Sequence, residues 1–487
     1  MFCKSYTAAV AGINGILVTI EADIRNGLPC FQMVGGIAGD VKESRERVKI
    51  ALENSGFILP PKHITVNMSP AEIKKEGTSF DLPIAAALLA AFGYIPENSS
   101  EKYLIVGELS LDGRIKKVKG LLPLVFVAKK NGLGVICPKE NLDELGWSDG
   151  VPMCGVNNVE ELADLLTENN ASKRFSPVSD IVPKFDVSLE KHPFNGVYCD
   201  ESVKRALIIS ASGGHHLFMA GNSENEKRKL AEAMVKLLPP LTPGEILEIL
   251  KMNSVLGNPF SAEVKRKCVT VDSCGLPEEK ELFAAHKGVL FIEGVNGIKS
   301  QTLSELKDYL VRTGQVDDKK GNYSSDLKLM VSGTLCPCGA FPDRGRCICS
   351  LKQIQKHLSS VNTFFDAETD MFVYVKEPEF KRIMQKENDE HVTEKIQRAA
   401  ERQYARFNGE LKLNSRMSDG ETEEICVLSE ECVSLLNKLL PADFSVSDYF
   451  KLLRVARTVA DYEDEERILP EHLREAFFFT RKGRLSE

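Results

Sequence analysis

The sequence predicts a multidomain α/β protein, and three observations carry that prediction. The N-terminal third mixes strand-like alternation with helical apolar spacing. The middle runs from an apolar strand into a glycine loop and then a helix. Residues 376–487 read as amphipathic helices almost throughout.

Residues 1–167 are expected to form an α+β domain. Tyr6–Ala11, Ile16–Ala22 and Cys30–Val34 alternate as strands, with Asn14-Gly15 as the turn of a first hairpin. Val41–Ser55 has helical spacing, with Val48, Ala51 and Leu52 on one face and Gly56 as its stop. Ile64–Met68 reads as a strand and Asp81–Phe92 as a buried, alanine-rich helix. Leu104–Gly107 and Leu109–Leu111 flank one turn, and Asp112-Gly113 makes the next. Leu121–Asn131 is a helix ended by Gly132, followed by a short strand at Val135–Cys137. Residues 168–192 are polar and proline-bearing, which suits a linker. In the span 193–375, Glu201–Ser212 and Glu226–Leu238 are helices. Leu217–Ala220, Gly288–Ile292 and Lys328–Val331 are apolar strands. Beyond it, Val392–Phe407, Ser429–Lys438, Ser447–Tyr462 and Pro470–Arg481 fit amphipathic helices.

With 487 residues the chain can bury sizeable cores without staples. Net charge is −8, so the surface as a whole does not match nucleic acid. The basic clusters at Lys74-Lys75, Lys116–Lys119, Lys227–Lys229 and Lys265–Lys267 read first as solvated faces. No targeting segment and no spanning apolar run is visible. Scattered thiols such as Cys30, Cys137 and Cys268 suit a reducing cytoplasm.

Residues 221–228 read Gly-Asn-Ser-Glu-Asn-Glu-Lys-Arg. A phosphate-binding loop reads Gly-x-x-x-x-Gly-Lys-Ser/Thr, with bare N–H groups for phosphate and a hydroxyl for Mg²⁺. Gly221 and Lys227 are kept. Glu226 stands where the second glycine belongs, and Arg228 where the hydroxyl belongs. A carboxylate would face the anion, and a guanidinium cannot ligate a cation.

Cys336, Cys338, Cys347 and Cys349 form a Cys-x-Cys, eight residues, Cys-x-Cys pattern. Four thiolates so close in sequence can close a tetrahedral site for structural zinc. Gly339, Pro342, Asp343 and Gly345 supply the turn between the halves. The alternative is four reduced thiols, or two labile disulfides in a setting other than the cytosol.

Taken together, several stretches resemble the magnesium-chelatase-like AAA+ family of the ComM/YifB type. They are Val66–Ala71, Lys75–Pro83, Gly107–Gly113, Gly213–Leu217, Gly288–Ile292, the cysteine cluster and Leu453–Asp461. The resemblance implies a ribosomal-S5-domain-2-like (Lon-protease-like) first domain over 1–167. It implies an AAA+ core over 193–375 with a zinc loop at 333–352, and a helical lid over 376–487. It also implies a ring-forming ATPase linked to DNA branch migration. The carry-over fails where the chemistry sits. Walker B reads Leu290-Phe291-Ile292-Glu293-Gly294: Glu293 can approach a metal, but Gly294 has no carboxylate to orient water. Thr334 replaces a sensor asparagine. Phe364–Glu368 lacks the family's trans-acting arginine, and Ser447 replaces a phosphate-sensing one.

Ser79 resembles the nucleophile stretch of Lon-type proteases, but no lysine stands at the matching place near Lys119-Gly120-Leu121. It is expected to cap the Asp81–Phe92 helix instead. His215 and His216 are expected to be structural. Arg454 and Arg457 share a helical face and have acidic neighbours in Asp461 and Glu463. The sequence thus reads as a pseudo-ATPase with ATP and Mg²⁺ in doubt, acting by binding or regulation on an intact AAA+ paralogue or nucleic acid. An active ATP-driven motor on DNA is the alternative. No membrane is involved, and without nucleotide a homo-oligomeric ring is doubtful.

Overall fold

The computed structural model describes residues 1–145, 148–167, 174–177, 190–261, 263–272, 277–295, 326–377, 389, 391–441 and 444–480. Most of the expected linker 168–192 lies outside the described residues. The chain folds into two compact units. The first takes its described residues from 1–177 and 242–264, the second from 190–241, 265–295 and 326–480.

In the first unit, β1 (Phe2–Ala11) pairs antiparallel along its whole length with residues 14–23 of β2 (Asn14–Arg25), and alternate residues bury one face of each. The turn between them is Gly12-Ile13, with Gly12 at φ +62°. Asn14-Gly15, expected as the turn, is already paired with Ala11 and Val10. Packing accounts for that glycine: a Cβ at Gly15 would stand 2.6 Å from a Val127 methyl. β3 (Cys30–Val34), β4 (His63–Ser69), β5 (Tyr103–Ile105), a small hairpin of β6 (Glu108–Leu109) and β7 (Ile115–Lys116), β8 (Gly134–Pro138), β9 (Pro152–Val156) and β10 (Ser176–Pro177) follow. The eight-stranded sheet runs β10-β9-β8-β5-β1-β2-β4-β3. It is mixed: β5, β8 and β9 run parallel, whereas β1, β2 and β4 alternate.

The helix Asp81–Ala91 is buried at every position. Apolar on all sides, it has to lie inside a core. Its only charge, Asp81, receives the Arg47 guanidinium at 2.9 and 3.1 Å and the Leu109 N–H at 3.2 Å. Ser79 does not cap this helix. Phe80 holds the capping position, without a side-chain bond, while the Ser79 carbonyl accepts from the Gly107 N–H at 3.0 Å. The Asp81 carboxylate already complements the helix start, so no hydroxyl is needed there. The helix Pro243–Leu256 also belongs to this unit. It packs on the helix Leu121–Lys130, and the Ser254 carbonyl and hydroxyl accept from the N–H groups of Gly120 and Leu122.

The second unit is built on five parallel strands: β11 (Leu217–Ala220), β12 (Cys268–Asp272), β13 (Val289–Glu293), β14 (Lys328–Gly333) and β15 (Met371–Tyr374). Their order is β12-β13-β14-β11-β15. Strands β11, β13 and β14 are almost wholly buried, as helix-covered parallel strands must be. The first strand therefore lies inside the sheet, between the fourth and the fifth. Ligand crevices of such sheets open at the carboxyl ends of strands where the order reverses. Here that edge carries the Gly221 loop, Glu293-Gly294 and the cysteine loop. The helices Glu201–Gly213, Val392–Arg406, Val446–Tyr462 and Pro470–Thr480 pack together and share one core with one face of the sheet.

Candidate functional site: a phosphate-loop position closed by its own side chains

β11 ends at Ala220, and Gly221 follows at φ +144°. A Cβ there would lie 2.2 Å from the Val375 carbonyl oxygen, so the position admits only glycine. The Gly221 N–H donates to the Gly333 carbonyl at 3.0 Å. This N–H binds the neighbouring strand and is not offered to a ligand.

The next helix begins at Glu224, two residues earlier than expected, with Ser223 as an N-cap that makes no side-chain bond. The early start places two carboxylates, Glu224 and Glu226, in the first turn, where a helix dipole favours an anion. Lys227 sits one turn in and is fully buried. Its ammonium donates to the Gly221 carbonyl at 2.7 Å, the Glu224 carboxylate at 2.6 Å and the Gly333 carbonyl at 3.3 Å. An ammonium has three donors, and all three are used. Burial lowers the Lys227 pKa, while Glu224 and Glu293 pull against that shift.

Glu224 is fixed in turn. Its second oxygen accepts from the Ser332 hydroxyl at 2.7 Å, and that hydroxyl accepts from the Gly294 N–H at 2.9 Å. The Glu224 carboxylate therefore stands against the lysine as a phosphate oxygen would. Neither Glu224 nor Ser332 stood out in the sequence. The signal that could have found Glu224 is its i, i+3 spacing to Lys227.

Arg228 and Glu293 also meet. The guanidinium grips the carboxylate with two bonds of 2.9 Å each. Glu293 is mostly covered and Arg228 half-exposed. The acid expected to approach a metal is thus paired with the residue that replaced the magnesium hydroxyl. Glu226 does not face this centre: it pairs with Lys229 at 2.9 Å.

The cysteine loop lies over the same edge. A Cβ on Gly339 would be 3.4 Å from the Asn222 Cβ. The sulfurs of Cys336, Cys338, Cys347 and Cys349 all lie within 4.8 Å of one another. The pairs 336–338, 338–347 and 336–347 stand at 3.3, 3.7 and 3.8 Å. Four thiolates at ~2.3 Å from a zinc ion would have sulfur–sulfur edges of about 3.8 Å, so the donor set fits such an ion. The backbone N–H groups of Ala340 and Ile348 pull the Cys338 thiol down to about 6. Thr334, expected in place of a sensor asparagine, bonds the Cys336 carbonyl at 3.1 Å and lies 3.1 Å from His357 Nε2. The side chains of Phe364–Glu368 lie outside the described residues.

The other candidates lie away from this edge. His215 is fully buried, with Nε2 2.8 Å from the Thr458 hydroxyl; His216 accepts from the Leu329 N–H at 3.1 Å. Asp370, remote in sequence, accepts from the His216 N–H at 2.9 Å. Arg457 reaches Asp461 at 3.0 Å, but Arg454 turns to Asp419, and Glu463 takes Arg205 instead. Ser447 lies in the first turn of the helix Val446–Tyr462, which Ser445 caps.

Comparison with known proteins covers most of the chain. Residues 20–141 match the family model for subunit ChlI of Mg-chelatase. Residues 193–383 match that for magnesium chelatase, subunit ChlI, and 386–480 its C-terminal part. The YifB protein of Escherichia coli is 31% identical over 501 residues, covering 99% of this chain and 97% of YifB. The competence protein ComM of Haemophilus influenzae is 29% identical over 504 residues, covering 99% and 97%. A shorter match links 26% of the chain to 23% of Lon protease 2 of Bacillus subtilis, at 31% identity. Among the described residues, no helix is long and apolar enough to cross a membrane.

Proposed function

The chain belongs to the magnesium-chelatase ChlI family, and from that premise we propose that it acts by binding or regulation, as a degenerate ATPase. One observation carries the reading: all three donors of Lys227 are spent inside the protein, one of them on the Glu224 carboxylate. A triphosphate arriving here would meet Glu224 at the helix start and would have to displace it from the lysine. Arg228 leaves no hydroxyl for Mg²⁺, and Gly294 no carboxylate for water. The residues present do not fit a nucleotide with its metal.

The partial likeness to a Lon protease supports an S5-domain-2-like first domain, and the helices beyond residue 390 support a lid. The cysteine loop is proposed as a structural zinc site. Four protein ligands leave no open position for a substrate, and the ion would hold the loop against Asn222. A relative named as a competence protein supports a role beside nucleic acid or an intact AAA+ paralogue.

The rival reading, an active motor on DNA, rests on Gly221, Lys227 and Glu293 sharing one edge of the sheet. It requires Lys227 to leave three acceptors and Glu293 to leave Arg228. Phosphate release at saturating ATP–Mg²⁺, with and without duplex DNA, separates the two. Degeneracy predicts no release above background in either case. DNA-stimulated release abolished by Lys227→Met would establish the motor.

A further inference from the structure

The cysteine loop runs into the helix Leu351–Glu368, and the two share an uncommon charge pattern. From Arg344 to Phe365 the sequence holds no aspartate or glutamate, in a chain of net charge −8. The same stretch holds Arg344, Arg346, Lys352 and Lys356, all exposed. Arg344 lays its guanidinium 4.7 Å over the Phe341 ring, which anchors it at the loop tip. Arg346 has Asp343 at 3.6 Å, an exposed pair that salt screens readily. Lys352 and Lys356 stand four residues apart and share a helix face.

Lys352 lies in the first turn, against the helix dipole, and no acid accompanies it there. The helix start is closed by Ser350 and Gln353, each side chain bonded to the other's backbone N–H, at 3.4 and 2.9 Å. A neutral amide does the work that glutamate often does in such a box. Amid these cations, Ile348 is 89% exposed and Leu351 63%.

We propose that this face, the cysteine-loop tip with the first turns of the helix, docks the phosphate backbone of nucleic acid. The proposal rests on the reading above that nucleic acid is a partner. Four cations without a neighbouring run of carboxylates gain by releasing counterions from phosphates. Ile348 and Leu351 supply apolar contact to sugars or base faces between those phosphates.

The test uses the full chain and a labelled mixed-sequence DNA duplex, followed by fluorescence anisotropy between roughly 50 and 200 mM salt. The logarithm of the wild-type binding constant should fall linearly with the logarithm of salt. Arg344→Gln with Arg346→Gln, and separately Lys352→Gln with Lys356→Gln, should each reduce that slope by about 1.8, two phosphates' worth. Lys352→Arg with Lys356→Arg should restore it. Lys42→Gln with Lys49→Gln, exposed on a helix of the other unit, should leave it unchanged. Wild-type protein that does not bind would overturn the nucleic-acid reading and this surface together. Binding with the same slope in all variants would overturn this surface alone, as would failure of the arginine pair to restore it. Binding of a labelled acidic peptide that is lost in both glutamine pairs, while their DNA binding is unchanged, would assign the face to a protein partner and refute the proposal.

Discussion

Replacing Lys227 by methionine should destabilise the protein with no nucleotide present. Methionine keeps most of the volume, so the cavity term is small. What changes is hydrogen bonding. The Gly221 carbonyl loses the ammonium; the Gly333 carbonyl keeps the Gly221 N–H. Glu224 loses one partner, but its side chain is 40% exposed and it retains the Ser332 hydroxyl. One buried carbonyl stripped of its donor costs about 1–3 kcal/mol, and releasing a partly exposed carboxylate costs about 1 kcal/mol or less. Relief of the buried ammonium's desolvation offsets part of this, leaving a net loss of about 2 kcal/mol. In a domain of this size that lowers the melting temperature by about 4–8 °C. Differential scanning calorimetry of nucleotide-free wild type and Lys227→Met measures it. A lysine waiting for phosphate would be dispensable in that state. Coincident melting curves would therefore refute the internal-closure argument.

Other predictions follow the same contacts. Gly221→Ala, which drives a Cβ into the Val375 carbonyl at positive φ, should cost about 2 kcal/mol or more, whereas Gly244→Ala, with open space and helical backbone, should gain about 0.5 kcal/mol; urea denaturation compares the two. Lys328 is buried, donates to the Ser210 carbonyl at 2.6 Å, and burial lowers it to about 7. Between about pH 7 and its ordinary ~10.4 the unfolded chain holds this proton and the native state does not, so stability should rise with pH by up to roughly 1.4 kcal/mol per unit; Lys328→Met should flatten that rise in urea melts. One zinc per chain by elemental analysis, lost together with thermal stability on chelation or in Cys338→Ser, would confirm the cysteine site; an unchanged melt without metal would leave four thiols.

Much of the sheet around the site was legible in the sequence. Leu217–Ala220 is a short apolar run ending at a glycine, and such a run has little choice but a buried strand. β15 was not legible: its four residues earn their place only by pairing with β11, far away in the chain. The closure of the site was hidden for a different reason. With the helix start read at Glu226, Glu224 fell in the loop, and an acid three residues before a lysine looks like any solvated pair. Only the burial of Lys227 and the approach of Gly333 and Ser332 from β14 give that spacing a meaning. Asn14-Gly15 erred in the opposite direction. The dipeptide is a strong turn signal, yet here the glycine serves a close approach to Val127 and the turn falls two residues earlier, at Gly12-Ile13.

Calorimetric titration of the full chain with ATP–Mg²⁺ examines the whole construction most directly. An ammonium already saturated by its own protein predicts no heat of binding up to millimolar ligand, about the 4 kcal/mol floor of measurable affinity. A micromolar isotherm, lost in Lys227→Met, would show that the lysine does exchange its carboxylate for phosphate and would contradict the account.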